Sequence, residues 1–83
     1  MDELLKKFEE ASIHVKSISS LTNDQLLKIY SLYKQSTVGD NDSEVPTNSF
    51  DFVGKAKYEA WDLLKGMSKD QAMKFYIDFV NKL

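Results

Sequence analysis

Tyr30, Tyr33 and Lys34 bring two phenols and one ammonium close together near the end of one amphipathic stretch, which runs on through Val38, Gly39 and Asp40. On a helix with about 3.6 residues per turn, Tyr30 and Lys34 share a face one turn apart, and Tyr33 lies about 60° round from Tyr30. A tyrosine offers a flat apolar ring with a hydroxyl at its tip. A lysine offers a hydrated point charge that suits phosphate. The combination fits an anionic ligand that carries a ring. The same spacing equally fits two core aromatics beside a solvated rim charge, because aromatic stripes at helical spacing commonly face a core.

Two more residues extend the set. Lys57 falls at the edge of the apolar face of a later segment, and Tyr76 sits centrally on the face of the last one. If these faces meet, Lys34 and Lys57 supply two ammoniums, and the tyrosines supply hydroxyls. A phosphate monoester, with about −1.5 to −2 charges at neutral pH, is answered by such charge-assisted hydrogen bonds. Core tyrosines with snorkelling lysines remain the competing reading.

No enzyme motif accompanies the set. His14 is the single histidine and there is no cysteine, so thiol chemistry, disulfides and cysteine-held metals are excluded. A lone histidine on a helix flank reads as a surface residue. No nucleophile elbow, phosphate-binding glycine loop or metal-spaced cluster occurs. The carboxylates of Glu9, Glu10, Asp24, Asp40 and Asp42 read as caps, solvated faces and loop charges. The expectation is therefore no catalysis, no metal and no cofactor.

The elements that must position these residues follow from periodicity and punctuation. Residues 2–16 repeat Leu4, Phe8, Ala11 and Val15 at helical spacing, with Asp2 and Glu3 suited to the first turn. Residues 23–36 form a second helix, opened by Thr22 with Gln25 as a capping box. It is apolar over a wide arc, leaving Lys28, Ser31 and Gln35 for water. Residues 37–50 form a long loop with Gly39 and the only proline, Pro46. A loop of this length can carry the chain back to the far end, so the next helix need not be an antiparallel neighbour. Residues 51–65 give a third helix whose apolar face holds Phe52, Ala56, Ala60, Leu63 and Leu64, with Lys57 and Trp61 at its edge, Tyr58 pointing away and Gly66 as a C-terminal cap. A fourth helix opens at Ser68 with Gln71 as a second capping box, and its face holds Ala72, Tyr76, Phe79, Val80 and Leu83. The fold class is all-α: a four-helix bundle in one domain, residues 1–83, with a long loop between helices 2 and 3.

The chain has 83 residues and a net charge of −2, which argues against non-specific nucleic-acid binding and requires any anion site to be built by local lysines. No apolar run approaches the ~18 residues that span a membrane. The charged N-terminal stretch lacks the apolar core of a signal peptide, so a cytoplasmic location without stable membrane insertion is expected.

Three blocks carry a resemblance. They are Tyr30-x-x-Tyr33-Lys34-Gln35-Ser36-Thr37-Val38-Gly39-Asp40, then Phe52-Val53-Gly54-Lys55-Ala56-Lys57-Tyr58-Glu59-Ala60-Trp61, then Leu64-Lys65-Gly66-Met67-Ser68-Lys69-Asp70-Gln71-Ala72-Met73-Lys74-x-Tyr76. In this order and spacing they resemble the acyl-CoA-binding protein family, and the likeness runs from Phe8 to Leu83. The resemblance implies that Tyr30, Lys34 and Lys57 hold the CoA phosphates, above all the 3′-phosphate. It implies that Tyr33 packs on the adenine and that Tyr76 is a further head-group contact. Ser12 matches a small residue at the adenine, usually alanine in the family, and Lys16 a basic neighbour. Leu26, Leu27 and Val53 match positions near the acyl chain. The implied function is a monomeric, non-enzymatic carrier of long-chain fatty acyl-CoA esters, bound one to one and passed to acyl-CoA-using enzymes. The alternative is a helical protein-interaction module that presents Tyr33, Trp61 and Leu32 to a partner. The chain departs from the family in a shorter first link without proline, a longer loop before Asp51, Val45 in place of a basic residue, and a stop at Leu83 without a lysine-rich tail.

Overall fold

The computed structural model describes residues 2–83 and contains four helices: α1 (Asp2–Val15), α2 (Asn23–Thr37), α3 (Phe52–Asp62) and α4 (Lys69–Asn81). The side chain of Asp2, expected to suit the first turn, lies outside the described residues. There is no strand among those described, and no helix is long and apolar enough to cross a membrane.

Both capping boxes form. The Thr22 hydroxyl accepts from Gln25 N–H at 3.1 Å while the Gln25 carbonyl oxygen Oε1 accepts from Thr22 N–H at 2.8 Å. Ser68 and Gln71 repeat the exchange at 3.1 and 3.2 Å. Each box satisfies two N–H groups that the first turn would otherwise leave unpaired. α3 is capped by Asp51, whose Oδ1 accepts from Gly54 N–H at 2.9 Å. α2 ends where Gly39 takes φ 99° and the link into α4 turns at Gly66 with φ 96°, left-handed backbone that favours glycine.

α4 and α2 are the two central elements, packed on each other. α4 also packs against α1, and α3 packs on α2. α1 and α4 run in the same direction: Leu4 and Lys7 lie beside Lys74 and Ile77, and His14 lies beside Asn81. α2 and α3 also run in the same direction, since Asn23 and Leu26 meet Phe52 and Val53 while Lys34 reaches Trp61. The long loop is what returns the chain to the start of α2. The Cα atoms span 41 × 29 × 15 Å, a slab about two helices thick. Phe8, Ala11, Leu32, Tyr76 and Val80 form its core, with Phe8 stacked 5.6 Å from Tyr33 and tilted 4.9 Å from Tyr76.

Several expectations about facing are overturned. Ser31 and Gln35, expected to meet water, are buried, Gln35 completely at 0% exposure. The Ser31 hydroxyl donates to Lys28 O of its own helix at 3.0 Å, and Gln35 Nε2 donates to Asp40 Oδ1 at 2.9 Å and to Met67 O at 2.7 Å. These bonds let the Ser31 hydroxyl and the Gln35 amide nitrogen leave solvent, while Gln35 Oε1 is buried without a hydrogen-bond partner among the described residues. α3 stops at Asp62 rather than residue 65, and Leu63, expected on its packed face, is 85% exposed. With α2 as its only helical neighbour among the described residues, α3 buries a single narrow face. That face centres on Trp61, whose Nε1–H donates to Gly39 O at 2.8 Å. Tyr58, expected to point away, is half-buried. Leu83 lies beyond α4 and is exposed. Burial of Leu32 and Trp61 also removes two of the three residues from the expected partner-facing patch.

Candidate functional site

A cleft of about 600 Å³ opens on one face of the slab, and all four helices contribute to it. α1 gives Ser12 and Val15, with Lys16 just past its end; α2 gives Leu26, Ile29, Tyr30, Tyr33 and Lys34; α3 gives Lys57; α4 gives Tyr76. Every head-group position named from the sequence, Ser12, Lys16, Tyr30, Tyr33, Lys34, Lys57 and Tyr76, lines this one cavity. A second groove of about 440 Å³ runs between the first turns of α2 and α3, lined by Asn23, Leu26, Leu27, Phe52, Val53, Ala56 and Lys57. The three expected acyl-chain residues, Leu26, Leu27 and Val53, lie here. Leu26 and Lys57 belong to both cavities, so the polar cleft and the apolar groove are continuous.

The aromatic groups form the floor. Phe8, Tyr33 and Tyr76 pack as a cluster, with Tyr33 and Tyr76 centroids 6.1 Å apart. Tyr33 stays half-exposed, so one face of its ring is free to take a planar ligand group. Burial raises the Tyr76 phenol above its ordinary value, and the neighbouring Tyr33 adds to the effect. Tyr76 is therefore a neutral hydroxyl, able to donate, at any physiological pH.

The cations are held by rings rather than by carboxylates. Lys34 Nζ lies 4.9 Å from the centroid of Trp61, and Lys57 Nζ 5.2 Å from that of Tyr30. Among the described residues the one ion pair is Lys65 with Asp62, away from the cleft. Lys16, Lys34 and Lys57 are left with their charges uncompensated around one cavity. In a chain of net charge −2, that local concentration of positive charge favours an anion. Ser12 Oγ donates to Glu9 O at 2.7 Å, so with its proton committed the hydroxyl can only accept from a ligand. Among the described residues no three acidic or histidine side chains converge to hold a metal ion.

Val15, Ile29, Asn23, Phe52 and Ala56 line the two cavities without having been singled out as site residues. Ile29 sits three residues after Leu26 and four before Tyr33, on the stripe already read from the spacing, and Val15 closes the stripe of α1. Their shared periodicity with the chosen residues was the available signal.

An all-α bundle with an open cleft, polar and cationic at one end and apolar at the other, defines a binding protein for an amphiphilic anion. Residues 5–80 match the family model described as Acyl CoA binding protein. The chain is 49% identical over 77 residues to "Acyl-CoA-binding protein homolog 1" of Caenorhabditis elegans, covering 92% of this chain and 88% of that one. It is 46% identical to the "Acyl-CoA-binding protein" of Saccharomyces cerevisiae, over 92% of this chain and 87% of the yeast protein. The crystal structure of Oryza sativa Acyl-CoA-Binding Protein 2 superposes with a TM-score of 0.90 at 36% identity, covering 96% of this chain and 89% of that one. The chain belongs to the acyl-CoA-binding protein family.

Proposed function

We propose that the protein is a non-catalytic carrier that binds one long-chain acyl-CoA ester and delivers it to acyl-CoA-using enzymes, acting as a monomer in the cytosol. The observation that supports this reading is the continuity of the two cavities. A cationic, aromatic cleft runs directly into an apolar groove, matching a ligand with a phosphorylated nucleotide at one end and a hydrocarbon tail at the other.

In this reading Tyr30, Lys34 and Lys57 take the phosphates, with Lys16 at the rim. Tyr33 stacks on the adenine beside Ser12, Tyr76 donates to the head group, and Leu26, Leu27 and Val53 cover the tail. Each buried methylene contributes about 0.8 kcal/mol, so the tail supplies much of the affinity. Ordering the flexible ligand offsets part of that gain. The partner-patch reading loses support with Leu32 and Trp61 in the interior.

Calorimetric titration with palmitoyl-CoA below its micelle concentration, beside free palmitate, free CoA and 3′-dephospho-CoA esters, tests the proposal. Tight one-to-one binding of the ester is expected, with much weaker binding of either half and of the dephospho ester. Lys34→Ala and Lys57→Ala each remove a charge-assisted contact of about 1.5–3 kcal/mol, a loss of roughly tenfold to a hundredfold. Wild-type affinity in both variants would sink the phosphate assignment, and no binding of any ester would sink the carrier reading.

A further inference from the structure

Trp61, the single tryptophan of the chain, is buried and lines neither the cleft nor the groove. Its indole is fixed at one edge, where Nε1–H donates to Gly39 O at 2.8 Å. Gly39, in left-handed backbone at φ 99°, donates its own N–H to Lys34 O at 3.2 Å, and Val38 N–H donates to the same carbonyl at 2.8 Å. The Lys34 ammonium in turn lies 4.9 Å from the centroid of the Trp61 ring. A circuit is closed: the turn that fixes the Lys34 backbone also orients the indole, and the indole meets the far end of the Lys34 side chain. A lysine stem loses much rotamer freedom when its ammonium is held. Here that loss falls on folding rather than on binding. The chemistry of the hold matters as well. A carboxylate would neutralise the ammonium and occupy its N–H donors. The face of a neutral ring attracts the cation and leaves charge and donors to an anion on the other side. Lys57 is a contrast. Its ammonium lies 5.2 Å from the Tyr30 centroid, but Lys57 is exposed and Tyr30 itself lines the cleft, so that pair is open to the ligand.

Resting on the carrier reading, we propose that Trp61 is a positioning residue, which never touches the ester but sets the affinity of the phosphate site by holding the Lys34 ammonium at the cleft, charged and with its donors free. Tryptophan suits the position on two counts. Its face is the strongest of the aromatic side chains for a cation, and its N–H supplies the anchor to Gly39 that a phenyl ring lacks. The indole acts on the ligand through Lys34 alone. Removing the ring therefore lowers affinity while the ammonium is present and does nothing once the ammonium is gone. A tryptophan that only filled the interior would weaken binding equally with and without Lys34.

The test is a double-mutant cycle of Trp61→Leu and Lys34→Met, with palmitoyl-CoA affinity measured by calorimetry at a temperature where circular dichroism shows every variant folded. Trp61→Leu alone should weaken binding roughly threefold to tenfold, and beside Lys34→Met it should change nothing further. Trp61→Phe, which keeps a ring under the ammonium, should recover most of the loss. A second readout needs neither the ester nor a change at Trp61. In the ligand-free wild-type protein the ε-methylene protons of Lys34, assigned by their absence from the Lys34→Met spectrum, should be shifted upfield by the indole ring current. This resonance decides whether the ring holds Lys34 even if Trp61→Leu does not fold. An equal loss of affinity in both backgrounds overturns the proposal and leaves Trp61 as a packing residue, as does an unshifted Lys34 resonance. A wild-type protein that binds no CoA ester would overturn the carrier reading and the role in affinity together, and the Lys34 resonance would then report on the contact by itself.

Discussion

At Tyr76 the ring and the hydroxyl serve different ends. The ring fills the core against Phe8 and Tyr33, and the same residue lines the cleft. Its phenol is raised by burial and then by Tyr33. The folded protein therefore keeps this proton at a pH where the unfolded chain has lost it. The associated stability is complete below the unfolded value of about 10 and declines as pH rises above it. Tyr76→Phe should flatten this alkaline decline, measured by denaturant unfolding between about pH 9 and pH 11. At neutral pH it should hold the core intact yet weaken ester binding by about twofold to tenfold, the value of one neutral hydrogen bond. Unchanged affinity would mean the hydroxyl does not reach the ligand and Tyr76 is a packing residue alone.

Between elements, the Asp40 carboxylate joins the end of α2 to the link that precedes α4. Its Oδ1 accepts from Gly66 N–H at 2.9 Å and from Gln35 Nε2 at 2.9 Å. These bonds, the backbone one first, hold its carboxyl below the usual carboxylate range, with Lys65 assisting. A lowered value contributes stability that is present above the unfolded value, about pH 4, and lost as pH falls through the folded one. Asp40→Asn keeps an acceptor but no charge, so acid unfolding should become less steep, with a small loss at neutral pH. An identical acid limb would show that the charge contributes nothing. The same joint explains what the sequence made legible. Helix starts could be read because Thr22–Gln25 and Ser68–Gln71 are local patterns whose partners lie three residues away. Parallel placement of α2 and α3 was open to a loop-length argument. Facing was harder, because it depends on partners distant in the chain. Gln35 reads as solvated until Met67 O and Asp40 meet it, and Phe52 and Leu63 read as core until α3 proves to have a single helical neighbour. The expected head-group positions were locatable from spacing plus family register, and all of them line one cavity; Val15 and Ile29 share the apolar stripes of α1 and α2, but that periodicity alone did not separate cleft lining from core.

For the molecule as a whole, the arrangement of contacts decides how a ligand would act. α1 packs on α4 and reaches α2 through the Phe8 ring, while α3 packs on α2; among the described residues α1 and α3 make no packed contact. Ser12 and Lys16, at and just beyond the end of α1, face Lys57 of α3 across the cleft, so a bound ester would bridge the two least supported helices. A slab with so small a core has little stability to spare. Binding to the folded state alone adds about 2.7 kcal/mol when free ligand is near 100 times Kd. For a domain of this size, that corresponds to a rise in Tm of roughly 10 to 20 °C. The gain should not be uniform. Hydrogen exchange with and without palmitoyl-CoA should show added protection concentrated in the C-terminal half of α1 and throughout α3, with α4 changing least because the core already holds it. Lys57→Ala, with its weakened ester contact, should lose most of the α3 protection at matched ligand concentration and recover it as the ligand is raised. Equal protection across all four helices would mean that the ligand stabilises only the global fold and does not bridge α1 to α3.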